Sequence, residues 1–491
     1  MVQNATRRRP ALAASPNVRH LKGRSIPSMT SLISRPRGVR LHPRDAVNIL
    51  AESERMVANL VEVVVFHPHP GTEADTLDLG TIAEWLVPRI ETVPQFRRVL
   101  RRSRWDLGDS FWIDSPRPDH AAGLSVTQVS EPGWAPIENA VTSMMNERMN
   151  LSERTWEIRF LTGTSHIQGV PDGACFALVK VHHSIMDGLG LADALKTIFG
   201  DDVSLPRRED ETWGHHAAER VPTSLKNAVT LPYGLLKYVR RYLLERKDGD
   251  ASEEGRPTHP ATRFDGRTDR GTVCRVMWFD VDDIKRSRAA VPGSTTNDVL
   301  LGIVSGAMQR YLEEIGERPE GSLGSTVPIA LDGTESANRA SFLTVSLHSD
   351  VSDVRKRLAA IQRSTAMAKA GIAKKTQSAR RRSIDVIPPI VVKVFMSLQS
   401  RNRATPVNVA SNTVLSNMMH GDSRLELLGR PAFGIFTPMP IVDGFGLCHH
   451  AGTLGDTLAL TITADASMLT DPDRYCALIE EAQHSLNSLA S

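Results

Sequence analysis

The stretch Ala174-Cys175-Phe176-Ala177-Leu178-Val179-Lys180-Val181 is apolar at every position but one, and it runs straight into two adjacent histidines, His182 and His183. A run of that character reads as a strand buried on both faces. Ser184-Ile185-Met186 then make a short loop closed by Asp187-Gly188, and residues 189–199 read as the helix that follows. A strand end is a rigid platform from which an imidazole can point into a cleft, while the loop beside it fixes the ring's orientation. Neighbouring strand residues face opposite ways, so His182 and His183 cannot both aim at one substrate. One is expected to do chemistry and the other to support the structure. The same opposition argues against a metal held by His182, His183 and Asp187, and no further clustered His/Cys set supports one.

Strands and helices mix along the remainder of the chain, without a short-period repeat. Residues 41–66 begin in a helix-like stretch to about Arg55 and end in the apolar run from Val61 to Phe66. Residues 79–101 carry Ile82, Leu86, Ile90, Val93 and Phe96 at helical intervals and predict one amphipathic helix. Residues 138–149 read as a helix and 156–161 as a strand. Charge and proline dominate 201–270, which reads as the connection between two halves and contains a basic amphipathic helix at 224–247. Beyond it, strands are expected at 273–279, 325–331, 341–347, 409–415, 433–438 and 457–464, with helices from Thr296-Asn297-Asp298, over 351–373 and over 472–489. The organisation is a basic arm at 1–40, a first half at 41–200, the connection, and a second half at 271–491: an α/β chain with two large domains.

Residues 1–44 hold ten Lys or Arg and no Asp or Glu, leaving 49 basic against 56 acidic residues in the remainder, a net −7. The folded body is therefore mildly acidic, and no nucleic acid is implied as a partner. The arm is rich in Ser, Pro and Arg without a sustained apolar stretch, which argues against export. It reads as a disordered segment or an over-long start, with Met29 a second initiator, or else as a polybasic attachment to anionic lipid. Four scattered cysteines fit a reducing cytoplasm, and no run of about 18 uncharged apolar residues predicts a spanning helix. The basic stretch 374–382 and its apolar neighbour 384–398 suit a lipid entrance.

The HHxxxDG pattern from His182 to Gly188 resembles that of the coenzyme-A-dependent acyltransferases, a superfamily that includes chloramphenicol acetyltransferase and peptide-synthetase condensation domains. Other stretches resemble one branch of it, the bacterial wax ester synthase/diacylglycerol acyltransferases. They are Leu41-His42-Pro43-Arg44-Asp45-Ala46, Val93-Pro94-Gln95-Phe96-Arg97, Asn297-Asp298-Val299, Val327-Pro328-Ile329, Ser416-Asn417 with Gly429, and Ile441-Val442-Asp443-Gly444-Phe445-Gly446-Leu447. The likeness spans residues 41–489. Two segments depart from the family pattern. Arg154-Thr155-Trp156 stands where Pro-Leu-Trp is usual, and Met418-Met419-His420-Gly421 where Val-Pro-Gly-Pro is usual.

The resemblance implies two chloramphenicol-acetyltransferase-like halves, each a mixed sheet with helices, around a central tunnel. His183 would be the general base, with His182 supporting it. Asp187 would anchor the loop through a hydrogen bond or ion pair, and Gly188 would permit the tight turn. Asn297, Ser416 and Asn417 are candidates for the oxyanion, with helix capping or turn formation the competing role for each. No cofactor or metal is implied. Long-chain acyl-CoA is the donor, diacylglycerol the acceptor, and a fatty alcohol the acceptor for a second, wax-ester activity. The site of action would be cytoplasmic, on the inner face of the membrane or on lipid droplets, held peripherally. A carrier-dependent or polyketide-associated acyltransferase and a catalytically weak lipid-binding or droplet-coating protein are the competing expectations.

Overall fold

In the computed structural model, the run before the histidine pair is a strand, Cys175–His182, buried along its whole length. The structure describes residues 38–53, 56–69, 77–102, 110–115, 119–200, 258–269, 271–330, 340–379, 408–421 and 424–489. Most of the basic arm, the connection from 201 to 257 with the helix expected at 224–247, and most of 374–398 lie outside them.

In chain order the first half forms β1 (Gly38–Arg40), β2 (Asn59–Phe66), β3 (Arg98–Arg101), β4 (Phe111–Asp114), β5 (Leu124–Gln128), β6 (Trp156–Thr162) and β7 (Cys175–His182). Its helices are α1 (Pro43–Leu50), α2 (Leu79–Ile90), α3 (Ala135–Asn146) and α4 (Gly188–Phe199). The single helix expected over 79–101 stops at Ile90. Pro94 opens a 3-10 turn, Pro94–Arg97, and β3 follows. Proline lacks the N–H that a continuing helix would use, which is why the periodic pattern outlasts the helix.

The second half forms β8 (His259–Pro260), β9 (Thr272–Asp280), β10 (Gly324–Ala330), β11 (Ala340–Ser346), β12 (Asn408–Val409), β13 (Thr413–Met419), β14 (Glu426–Leu427), β15 (Arg430–Phe436), β16 (Leu447–Leu454) and β17 (Thr457–Asp465). Its helices are α5 (Val281–Arg288), α6 (Thr296–Glu314), α7 (Val354–Ala379) and α8 (Pro472–Asn487). The strand β16 was not expected from its residues, which include a glycine and two histidines. No described helix is long and apolar enough to cross a membrane.

Two six-stranded mixed sheets organise these elements, in the orders β14-β15-β2-β7-β6-β5 and β11-β10-β13-β16-β17-β9. Each puts its most buried strands inside, where β7 and β16 are covered on both faces. Lys180, the one charge within β7, is neutralised by Glu157 opposite it on β6, at 2.7 Å. The first sheet is not made by residues 41–200 alone. After β13 the chain crosses over, lends β14 and β15 to the edge of β2, and returns to lay β16 beside β13. Gly452 makes the crossing possible, since a Cβ there would stand 2.7 Å from the Ile435 carbonyl oxygen. The halves are thus tied by a backbone ladder.

Three cores result. One packs the first sheet under α2 and α4, and another packs the second sheet under α6, α7 and α8. The third lies between the halves, where Ile137, Val141 and Met144 of α3 meet Val61, Val63 and Leu178 with Cys274 and Ala459. Each fully buried Val, Leu or Phe in these layers stabilises by about 1.5–3 kcal/mol.

Candidate active site

The end of β7 is held from three sides. His182 N–H donates to the Thr155 carbonyl at 3.2 Å, His183 N–H to the Ala58 carbonyl at 2.8 Å, and Asn48 Nδ2 to the His183 carbonyl at 3.3 Å. The His182 ring is fully buried. Its Nδ1 accepts from the Ser184 N–H at 3.2 Å and lies 2.6 Å from Ser184 Oγ. That leaves the ring proton on Nε2, which points at Glu52 Oε1, 3.3 Å away. Burial opposes ionisation of Glu52, but hydrogen bonds from the His182 ring and the Ala58 N–H, with the charge of Arg148, outweigh it and hold the carboxyl below its usual range. His183, one residue on and in the turn, is partly exposed.

Asp187 is the N-cap of α4, and its carboxylate accepts from the Gly190 N–H at 2.9 Å. This contact ties the loop after His183 to a helix start. Gly188 is the first residue of α4, with φ outside the left-handed region, so a turn does not require glycine there. What its bare backbone gives is room: a Cβ would stand 2.6 Å from Met418 Cε. Met418 belongs to β13, so the second half reaches the histidine loop at this point.

Ser416 and Asn417 lie on β13 next to Met418, and being adjacent they face opposite ways. Ser416 shares the face of Met418, whereas Asn417 turns with Leu415 toward the helices of the second half. Asn297 occupies the first turn of α6, whose cap is the reciprocal pair Thr295 and Asp298. Capping therefore does not account for Asn297. Among the described residues, Oδ1 of both Asn297 and Asn417 is buried without a hydrogen-bond partner.

Phe96 and Trp156, from two of the segments singled out in the sequence, form one unit behind this loop. Their rings stack at 5.3 Å and Trp156 Nε1 donates to the Phe96 carbonyl at 2.8 Å. The retained tryptophan is a core residue joining β6 to the 3-10 turn.

A second group of buried polar residues has no signature in the local sequence. Glu62 on β2 and His420 after β13 pair at 3.0 Å with side chains 1% exposed each. His449 and His450 lie inside β16, and burial pushes both imidazoles down to about 3. His449 is satisfied by Thr413 Oγ1 and the Tyr475 hydroxyl, both at 3.0 Å. Among the described residues no group of three or more His, Cys, Asp or Glu is arranged to hold a metal ion.

Residues 41–300 match the wax ester synthase/diacylglycerol acyltransferase catalytic domain, and residues 336–487 match the WS/DGAT C-terminal domain. The chain belongs to the wax ester synthase/diacylglycerol acyltransferase family. A Mycobacterium tuberculosis protein named a probable diacylglycerol O-acyltransferase is 24% identical over 442 residues, covering 85% of this chain and 89% of that one. The wax ester synthase/diacylglycerol acyltransferase from Marinobacter aquaeolei VT8 shares the fold at a TM-score of 0.66 and 18% identity, over 92% of this chain and 100% of the other. A trichothecene 15-O-acetyltransferase from Fusarium sporotrichioides shares it at 0.54 and 11%, over 91% and 94%. This member of the family thus has the two-halved mixed α/β acyltransferase fold, with its HHxxxDG loop set against the second half.

Proposed function

We propose that this acyltransferase moves a long-chain acyl group from acyl-CoA to the free hydroxyl of diacylglycerol, releasing triacylglycerol and coenzyme A, with fatty alcohol as a second acceptor. The observation that carries the reading is the contact of Met418 with Gly188, because it brings β13 of the second half against the loop that follows His183. In the proposed step His183 acts as a neutral imidazole. It takes the hydroxyl proton as the acceptor oxygen attacks the thioester carbon, and it returns that proton to the thiolate as the carbon–sulfur bond breaks. An imidazole with an ordinary pKa of about 6.5 can serve in both directions. His182, locked by Ser184 and Glu52, keeps the strand end in place. One oxyanion donor is worth about 3 kcal/mol in kcat. Asn297 and either Ser416 or Asn417 are the side chains proposed for it, since the last two face opposite ways.

Each methylene of a long acyl chain gains about 0.8 kcal/mol on leaving water, so the reaction belongs at a membrane or droplet surface. We assign peripheral attachment there to the basic segments 1–44, 224–247 and 374–382. Attachment of this kind weakens with salt on anionic vesicles, and salt-insensitive binding would refute it. The central test is incubation of purified protein with labelled palmitoyl-CoA and either diacylglycerol or hexadecanol. Labelled triacylglycerol is the expected product, and no transfer to either acceptor would refute the reading.

A further inference from the structure

His450 is paired in register with Thr461 on β17 and with Ser416 on β13. The same face of β17 carries Ala459, which packs with Phe176 and Leu178 of the first half. His450 therefore turns toward the seam between the halves, and so does Ser416. Met418, two residues further along that face, touches Gly188 beside the histidine loop. The imidazole is 1% exposed, and among the described residues neither of its ring nitrogens has a hydrogen-bond partner. Oγ of the buried Thr461 and Thr437 is in the same condition. The segment carrying Thr437 runs past this face, where the Met439 N–H donates to Thr463 Oγ1 at 3.0 Å. The carboxylate–imidazole pair of Glu62 and His420 is buried nearby, and His420 adds to the depression of the His450 pKa.

An unmatched buried polar group costs about 1–3 kcal/mol, so a donor and acceptor left in this state three times over point to a ligand. The face is otherwise small or apolar, with Val414, Cys448, Gly452 and Ala459 around the imidazole. A charged group would pay heavily for entering it. An uncharged ester oxygen within an apolar molecule fits. We infer that His450, with Thr437 and Thr461, binds an ester carbonyl of the acyl acceptor, and so favours diacylglycerol over an alcohol that has no ester.

This inference rests on the diacylglycerol reading above. Its test compares wild type with His450→Leu, using diacylglycerol and hexadecanol as acceptors and palmitoyl-CoA as donor. His450→Leu should lose at least about tenfold in kcat/KM for diacylglycerol, the equivalent of one unmatched hydrogen bond. Its kcat/KM for hexadecanol and its KM for palmitoyl-CoA should stay within about twofold. Its melting temperature should rise, because an apolar side chain replaces an unmatched polar one. Thr461→Val should repeat the selectivity change in smaller measure, and it serves as the test if His450→Leu fails to fold. Equal losses with both acceptors, a raised KM for palmitoyl-CoA, or an unchanged diacylglycerol rate would each overturn the inference. If wild type acylates neither acceptor, the diacylglycerol reading itself falls. If wild type acylates diacylglycerol and both variants match it, only the role of His450 falls.

Discussion

Two pairs of adjacent histidines, His182-His183 at the end of β7 and His449-His450 within β16, belong to the inner strands of the two sheets, and in each pair one ring is locked within its own half. His182 is held by Ser184 and Glu52, and His449 by Thr413 and Tyr475. Strand alternation explains the division within β16, because neighbours on a strand cannot share a face, whereas in the first pair the chain turns immediately after His182. The pairs differ in where they fall along the strand. His183 has left β7 and lies in a turn, partly exposed, whereas His450 is in the body of β16 and buried. A ring at a strand end can exchange protons with a substrate. One inside a strand is kept neutral by burial and suits recognition.

The largest effect that would break this comparison is on rate. His183→Ala should lower kcat by about 10²–10⁴-fold with the fold intact, as expected for removal of a general base. A folded variant near the wild-type rate would show that the turn position carries no chemistry.

The second effect is on stability in acid. His449 and His450 have folded pKa values depressed to about 3 from the ordinary 6.5, so the unfolded chain binds their protons first as pH falls. Their stabilisation is complete above about pH 6.5 and is lost as pH drops toward 3, by about 1 kcal/mol per pH unit for each ring. Burial shifts His120, His259 and His348 the same way. Denaturant midpoints should therefore fall from neutral pH toward pH ~4, less steeply in His450→Leu. Identical slopes for the two proteins would mean that His450 titrates normally and is not sealed in the seam.

The contrast between the pairs also shows what could be read from sequence. The first pair is legible because Ala174 to Val181 is an apolar run interrupted only by Lys180, and the turn residues Asp187-Gly188 follow within a few positions of the histidines. Strand β16 reads Leu-Cys-His-His-Ala-Gly-Thr-Leu, which has no β-branched run and no alternation. It is a strand because β13 and β17 flank it, a condition set by residues far away in the chain. The crossover that places β15 beside β2 is hidden for the same reason. Local pattern shows that residues 433–438 are strand-like but neither where β15 begins, at Arg430, nor which sheet it joins. At the site, the histidines, Asp187 and the two asparagines were visible as residue types in ordered motifs. Glu62 and His420 were not, since only the folded chain brings them within 3.0 Å.

A third, smaller effect tests the locked member of the second pair. Tyr475→Phe removes the hydroxyl facing His449 Nε2 and leaves that nitrogen buried and unmatched. The expected loss is about 1–3 kcal/mol of stability, read from denaturant unfolding, with the ratio of diacylglycerol to hexadecanol activity unchanged. A shift in that ratio would show that His449 also meets substrate, and the division of each pair into one locked and one ligand-facing ring would not hold.

The smallest effect concerns the contact that joins the two histidine regions. Met418 lies on the face of β13 that also carries Ser416, and its methyl group fills the space that a side chain at Gly188 would need. Gly188→Ala puts a methyl group within 2.6 Å of Met418 Cε, but the end of a flexible thioether can swing aside. Because φ at Gly188 is ordinary, alanine adds no backbone strain and is a better helix former than glycine by about 0.8–1 kcal/mol. Stability should accordingly change by less than about 1 kcal/mol in either direction. Activity should respond more clearly, since a displaced Met418 moves the wall of the seam next to the His183 loop, and kcat/KM should fall a few-fold for both acceptors. Adding Met418→Ala should restore much of the rate by clearing the same space. That recovery separates a steric effect at the junction from a defect in Asp187 capping, which the second substitution does not touch. If Gly188→Ala is fully active alone, the contact is too soft to transmit position between the halves, and the two histidine pairs work independently.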